Sequence, residues 1–288
     1  MTTIKAFMKN HPVATYYTLT FAISWGGILI VVGPGGIPGT REEFERLFPA
    51  VLLALLAGPS VSGLLLTGLV YGKAGLRELL SRLLRWRVGI RWYAVALLTA
   101  PLLMTAIPLA LSLLFPEFLP GIYTTDDKAS LLLIGIAAGL TGGFLEELGW
   151  TGFAIPRLRL RYGVLTSGLI VGFLWGAWHL LMNFWTSGGP SGALALALLL
   201  HSLIFSVGIL PAFRVLIVWV YDRTGSLLVA MLMHFSLIVS NVILVPVAIA
   251  GATGPTWSLV MAAVLWVIVA AVTVANRGQL SRALATTA

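Results

Sequence analysis

Apolar residues in this chain run in long, nearly unbroken windows, not in the two-residue alternation of a half-buried strand. Eight such windows can be drawn, over residues 13–33, 49–72, 92–115, 130–154, 163–186, 193–220, 225–249 and 255–275. Each reaches the roughly 20 residues that, at about 1.5 Å per residue, cross a hydrocarbon core about 30 Å thick. The pattern predicts an all-α polytopic membrane protein of about eight transmembrane helices, a single integral domain over residues 1–288. The first window follows Lys5 and Lys9 as the apolar part of a signal peptide would. Its length, and the lack of a small-x-small site to close it, predict a retained anchor. Between the second and third windows, Gly75 to Trp92 places Leu76, Leu79, Leu80, Leu83 and Leu84 at helical spacing among Arg77, Arg82, Arg85 and Arg87. This predicts an amphipathic helix lying on an anionic inner leaflet, a surface anchor with no part in chemistry. Phe115 to Ser130, with Glu117, Asp126 and Asp127, reads as a solvated connection, and Pro34 and Pro38 mark a turn. No repeat suggests the inverted symmetry of many transporters.

Composition narrows the chemistry. The chain is 59% hydrophobic and 10% charged, with a mean hydropathy of +0.99, which excludes the water-soluble globular classes. There is no Cys, so disulfides, thiolate ligands and a Cys nucleophile are all absent. The net charge of +8 would point to nucleic acid in a soluble protein, but here the basic residues gather between the apolar windows. With the N-terminus inside, 15 of the 18 Lys and Arg fall on the inner side, among them Lys5, Lys9, Arg157, Arg214, Arg223, Arg277 and Arg282. Only Arg41, Arg46 and Lys128 are left outside. That bias is topology, with both termini in the cytoplasm and no nucleic-acid partner.

The costly residues are few. Glu146 and Glu147 sit side by side inside the fourth window, where an acid costs about 2.5–3.5 kcal/mol on insertion scales. They differ by about 100° around a helix and therefore have different jobs. One can face a cavity as general base on water while the other holds a structural partner. Gly139, Gly142, Gly143, Gly149 and Gly152 around them allow close helix approach. His179 shares a helix face with Trp175, Asn183 lies one turn further on, and His234 lies in Met233-His234-Phe235-Ser236. Either imidazole can position water, bind a metal or only bond between helices. His201 and Asn241 read as interhelical hydrogen-bonders, and Trp175, Asn183 and Ser236 are candidates for contact with substrate. All of these lie on spans four to seven, so a single site is expected within residues 130–245. If a divalent metal such as zinc is bound, Glu146, His179 and His234 are its candidate ligands, although HExxH is absent. No Gly-x-Ser-x-Gly elbow, phosphate loop or dinucleotide fingerprint stands in a suitable context.

Three segments carry a family likeness. Glu146-Glu147-Leu148-Gly149-Trp150-Thr151, Trp175 to His179, and Tyr221-Asp222-Arg223-Thr224-Gly225-Ser226 leading to His234 follow in order on successive spans. They resemble the Glu-Glu-x-x-x-Arg, Phe-x-x-x-His and His-x-x-x-Asn motifs of the CAAX protease and bacteriocin-processing family, also called the CAAX protease self-immunity or Abi family, of intramembrane endopeptidases. The resemblance implies Glu146 as water-activating base with Glu147 its neighbour, His179 orienting the water, and His234 stabilising the oxyanion. It also implies a cavity opening to the cytoplasm, a peptide or protein substrate that is lipidated or membrane-bound, and a bacterial inner membrane as the setting. Two positions depart from the pattern: Thr151 stands at the Arg place and Ile238 at the Asn place. The first removes an expected partner for Glu147, for which Arg214 or Arg157 could substitute. The second removes an oxyanion donor and leaves open a catalytically impaired binding or immunity protein. A proton-coupled transporter using Glu146 and the histidines is a further alternative.

Overall fold

The computed structural model describes residues 2–33, 35–188, 194–246 and 253–276, with backbone alone for residues 2–5. Pro34, Arg277, Arg282 and the last residues of the seventh window lie outside the described residues, as does the side chain of Lys5. Helices dominate, in the order α1 (Thr2–Asn10), α2 (Pro12–Val32), α3 (Arg41–Leu66), α4 (Gly72–Leu83), α5 (Ile90–Ser112), α6 (Gly121–Thr124) and α7 (Lys128–Gly149). There follow α8 (Ile155–Leu158), α9 (Val164–Thr186), α10 (Leu196–Ile204), α11 (Leu210–Thr224), α12 (Leu227–Leu244) and α13 (Thr253–Ala275). Single π-helical turns, Thr67–Tyr71, Trp150–Ala154 and Phe205–Ile209, join α3 to α4, α7 to α8 and α10 to α11. The joined helices make eight stretches among the described residues that are long and apolar enough to cross a membrane.

Local sequence sets the helix ends nearest the site. Thr40 and Glu43 form a reciprocal capping box at the start of α3, and the Asp127 carboxylate accepts from the Ser130 N–H (3.0 Å) at the start of α7. That bond holds the Asp127 carboxyl below its usual range. Gly225, with φ of +61°, ends α11 in the left-handed conformation that costs other residues more. Ser226 then caps α12 through the Val229 N–H (3.2 Å) while its own hydroxyl donates to the Arg85 carbonyl (2.6 Å). This short connection fixes where His234, two turns along α12, stands relative to α11.

Close helix approaches bring the polar residues together. Gly143 lies against the backbone of Phe235, 2.7 Å from its N to where a Cβ would stand, so α7 and α12 nearly touch. Gly172 and Gly176 do the same for α9 against Pro211 and Ser206. In a bilayer, where helices gain nothing by leaving lipid for one another, such small-residue seams let backbones pack closely. The N-terminal spans contribute more polar ties than expected. Trp178 Nε1 donates to Ser24 Oγ (2.8 Å), Ser24 Oγ donates to the Leu55 carbonyl (2.6 Å), and Trp25 Nε1 donates to the Trp178 carbonyl (2.9 Å), pinning α2 to α3 and α9.

Two connections depart from their expected character. The amphipathic segment is helical only to Leu83, and it is docked into the protein: Arg82 is 9% exposed and donates to the Gly152 carbonyl (3.0 Å) and the Tyr221 hydroxyl (2.9 Å). Leu79 packs beneath it with Leu227 and Met231, while Leu76, Leu80 and Leu84 stay exposed. Its surface-anchor face is therefore only half of it. Between α5 and α7, Phe118 is buried and the Gly121 N–H donates to the Val245 carbonyl (3.3 Å), so this stretch folds back over the end of α12.

Candidate active site

The two carboxylates have separate surroundings. Glu147 is fully buried, and both its oxygens accept from Arg214 Nη1 (2.7 and 2.9 Å). Oε1 also takes the His234 Nδ1–H (2.8 Å), and Oε2 takes the Thr151 hydroxyl. The partners come from α11, α12 and the turn after α7, so Glu147 ties three elements together. Arg214 is itself fully buried, its guanidinium 4.2 Å from the centroid of the Trp175 ring, with Nε and Nη2 finding no acceptor among the described residues. A buried carboxylate opposite one guanidinium offsets a desolvation cost that neither could bear alone.

Glu146, 4% exposed, points elsewhere. Its Oε2 accepts from Trp175 Nε1 (2.6 Å) and Trp150 Nε1 (3.1 Å), two donors that hold the carboxylate still. Oε1 stands 3.6 Å from where a Cβ on Gly142 would be, on the wall of a cavity of about 390 Å³ that Gly142 also lines. His179 and His234 line the same cavity. The Trp175 carbonyl, which can only accept, bonds His179 Nδ1 (2.9 Å), so that nitrogen carries the proton and Nε2 is left free. In the same way the Glu147 carboxylate accepts from the Nδ1–H of His234, whose Nε2 is left free. Trp175 stacks edge-on against both imidazoles, at 4.8 Å from His234 and 5.9 Å from His179. The three groups named first, one carboxylate and two imidazoles, thus face one chamber from α7, α9 and α12.

The remaining sequence candidates divide. Trp175 is on the cavity wall but only 2% exposed, and its visible work is holding Glu146. Asn183 lines the cavity and donates to Ser206 Oγ (2.9 Å), not to His179. Ser236 is turned away; its hydroxyl donates to the Leu97 carbonyl (2.9 Å) on α5 and it has no place on the cavity wall. Ser236 therefore faces α5 and not the cavity, because it lies two residues, about 200°, around α12 from His234. His201 bonds Ser258 Oγ (2.7 Å) and the Gly254 carbonyl (3.2 Å), and with Asn241 it also borders the chamber. Ile238 stands on the cavity wall with its Cδ1 2.7 Å from a Cβ position on Gly142. Thr151 keeps a bond to Glu147 despite standing in the Arg place, and Arg214 supplies the cation from another helix. Arg157 goes elsewhere, to the Phe153 carbonyl (2.7 Å).

Trp150 and Arg82 belong to the site's framework and were not foreseen. Trp150 is four residues beyond Glu146, an i, i+4 spacing that could have flagged it; nothing local flags Arg82, whose partners are 70 and 139 residues away. Among the described residues, no group of three or more His, Asp or Glu is arranged to hold a metal ion. Glu146, His179 and His234 do not stand close enough together to form such a group.

Direction matters as well. From Glu146 the cavity runs toward Ile134 near the start of α7, twelve residues or about 18 Å along the helix. It also reaches Asn183 near the end of α9 and Asn241 near the end of α12. The opposite direction is filled: Trp150 to Ala154 are all buried, with Tyr17 stacked on Trp150 (5.6 Å) and Arg82 clamped to Gly152. The cavity therefore lies away from the basic connections.

Comparison with known proteins covers the segment that holds these residues. Residues 128–240 match the family model of Rce1-like type II CAAX prenyl endopeptidases. Over 228 residues the chain is 22% identical to CAAX prenyl protease 2 of Methanococcus maripaludis, covering 76% of this chain and 80% of that protein.

Proposed function

We propose that this chain, which matches the Rce1-like family model over residues 128–240, is a member of the CAAX protease and bacteriocin-processing family and an intramembrane endopeptidase acting through Glu146-bound water. The observation that carries this reading is the shared chamber: Glu146 Oε1 and the free Nε2 atoms of His179 and His234 border one cavity, each oriented by a second bond behind it. Water held between Glu146 and His179 gives its proton to the carboxylate as it attacks the peptide carbonyl. His234, braced through Nδ1 by Glu147, faces the oxygen that gains charge with Nε2, and a proton on that nitrogen is what the step requires of it. The Glu146 proton then passes to the leaving amine, so that the carboxylate is restored and the bond's two halves depart as acid and amine. Glu147, Arg214 and Trp175 are positioning residues in this scheme, since none needs to touch the substrate.

The test is cleavage of a peptide library by the purified protein with Glu146→Ala, His179→Ala and His234→Ala beside the wild type, each with and without chelator. Loss of cleavage in all three, with insertion and helicity kept, is expected. Unchanged turnover in all three overturns the assignment. Chelator-sensitive cleavage would call for a ligand arrangement different from the one described. Ile238 on the cavity wall, where the family pattern has Asn, favours one second reading: a protein of the same fold that binds a peptide and cleaves it poorly. Ile238→Asn is then expected to raise cleavage, since one missing oxyanion donor costs about 2.7–4 kcal/mol of barrier elsewhere. A membrane-embedded peptide or protein is the partner in both readings, with the inner membrane of a bacterium as its setting.

A further inference from the structure

On the far side of the filled π-helical turn from the chamber, the chain encloses a second cavity, of about 410 Å³. Three connections wall it: Lys9 where α1 passes into α2, Tyr71 at the end of the π-helical turn before α4, and Arg157 and Arg161 between the start of α8 and α9. No Asp or Glu lines it. Arg157 and Arg161 stand four residues apart on the turn that closes α8, where the Arg161 N–H still donates to the Leu158 carbonyl (2.9 Å). Two like charges are thereby brought to one wall, an arrangement that is unfavourable until an anion joins it.

The neighbouring acids are engaged with other cations. Arg159, between the two arginines, meets Asp222 (2.6 Å), and Glu78 of α4 meets Arg82 (3.6 Å). Lys9, Arg157 and Arg161 make no ion pair among the described residues. Arg157 is nonetheless held in place. Its Nη1 donates to the Phe153 carbonyl (2.7 Å) and its Nε to the Tyr71 hydroxyl (3.4 Å), and the guanidinium lies 3.8 Å from the Phe153 ring centroid and 4.4 Å from that of Tyr71. A guanidinium fixed by two bonds and two rings, with no carboxylate opposite it, is ready for an oxyanion supplied from outside the chain.

The rest of the wall selects the anion. Val13, Ala14 and Ile170 line the same cavity, Ile170 lying six residues or about 9 Å along α9 from its start. Cations at the helix ends with apolar side chains below them match a phosphate joined to hydrocarbon, whereas a free phosphate would fill only the polar part. Basic pockets between helix ends are used in this way for lipid headgroups.

We propose that this cavity binds the phosphate headgroup of an anionic phospholipid, with Arg157 as its fixed cation and Lys9 and Arg161 completing the site. The site depends neither on which side of the membrane this end faces nor on the proposed hydrolysis.

Native mass spectrometry of the full-length protein, stripped of lipid in neutral detergent and titrated with phosphatidylglycerol, tests this. A first lipid is expected to bind more tightly than phosphatidylcholine, whose choline cation would meet the same positive wall, and to be weakened about tenfold in Lys9→Gln/Arg161→Gln. Arg77→Gln/Arg87→Gln removes as much charge from residues outside the cavity and is expected to leave that first lipid unchanged. Equal weakening in the two double variants, or none in the first, overturns the site. So does equal binding of phosphatidylcholine. Thermal unfolding checks that each variant is folded; should Lys9→Gln/Arg161→Gln melt early, the two single variants are titrated instead and must each weaken the first lipid. Inorganic phosphate is added last as competitor. Failure to displace the lipid at equal concentration is expected, and displacement overturns the lipid as the source of the phosphate.

Discussion

Glu146 and Glu147 are neighbours in the chain and opposites in their surroundings. One is braced by two indole N–H groups and keeps an oxygen for the cavity; the other spends both oxygens on Arg214, His234 and Thr151. The difference comes from the helix, whose 100° step per residue sends adjacent side chains to different neighbours. It teaches that a pair of intramembrane acids need not be a catalytic pair: the bilayer's penalty can be met once by indole donors at a cavity wall and once by a buried ion pair.

The sharpest way to break that contrast is to neutralise each acid in turn. Glu146→Gln is expected to remove about 10²–10⁴-fold of cleavage rate, the range of a lost general base, with thermal unfolding in detergent close to wild type. Equal loss of stability in Glu146→Gln and Glu147→Gln would erase the distinction. Next in size, Glu147→Gln or Arg214→Met alone should destabilise by about 3–5 kcal/mol, because each leaves a buried partner uncompensated. The double variant should be milder than the two effects added, a coupling that a denaturation cycle reads directly. Trp175→Phe keeps the ring against both imidazoles but deletes the 2.6 Å donor to Glu146. A charged hydrogen bond of about 1.5–3 kcal/mol is lost, which should appear in kcat more than in KM. Smallest is Thr151→Val, expected to cost about 0.5–1.5 kcal/mol of stability through one hydroxyl. Thr151→Arg, by contrast, would force a long cation into a fully buried position whose carboxylate already has Arg214. It should destabilise the protein and restore nothing.

Much of this was legible in the sequence, and the limit falls at a recognisable place. Apolar windows long enough to span a bilayer locate the helices, because in lipid only intrachain backbone bonding is available. Paired acids in such a window announce a site, because they are expensive there. Orientation around the helix, however, depends on neighbours far along the chain. Ser236 reads as a plausible cavity donor until α5 is seen to take its hydroxyl. Arg82 reads as a charge of an amphipathic helix on the inner leaflet's surface until its bonds to Gly152 and Tyr221 are seen. The π-helical turn after Gly149, which changes the helical register just beyond the acids, has no composition cue at all, although such turns gather at functional sites. The direction of the cavity was likewise hidden: it follows from which helix ends the lining residues approach, a property of packing.

The Glu147–Arg214 pair has a consequence in time. Its members lie 67 residues apart on helices that leave the insertion machinery separately. Until the later helix arrives, Glu147 has no guanidinium opposite it, His234 has not yet been made to brace against it, and the chamber has no far wall. On the proposed hydrolase reading, a half-synthesised chain therefore has no assembled site, and competence comes only once the later helices have docked.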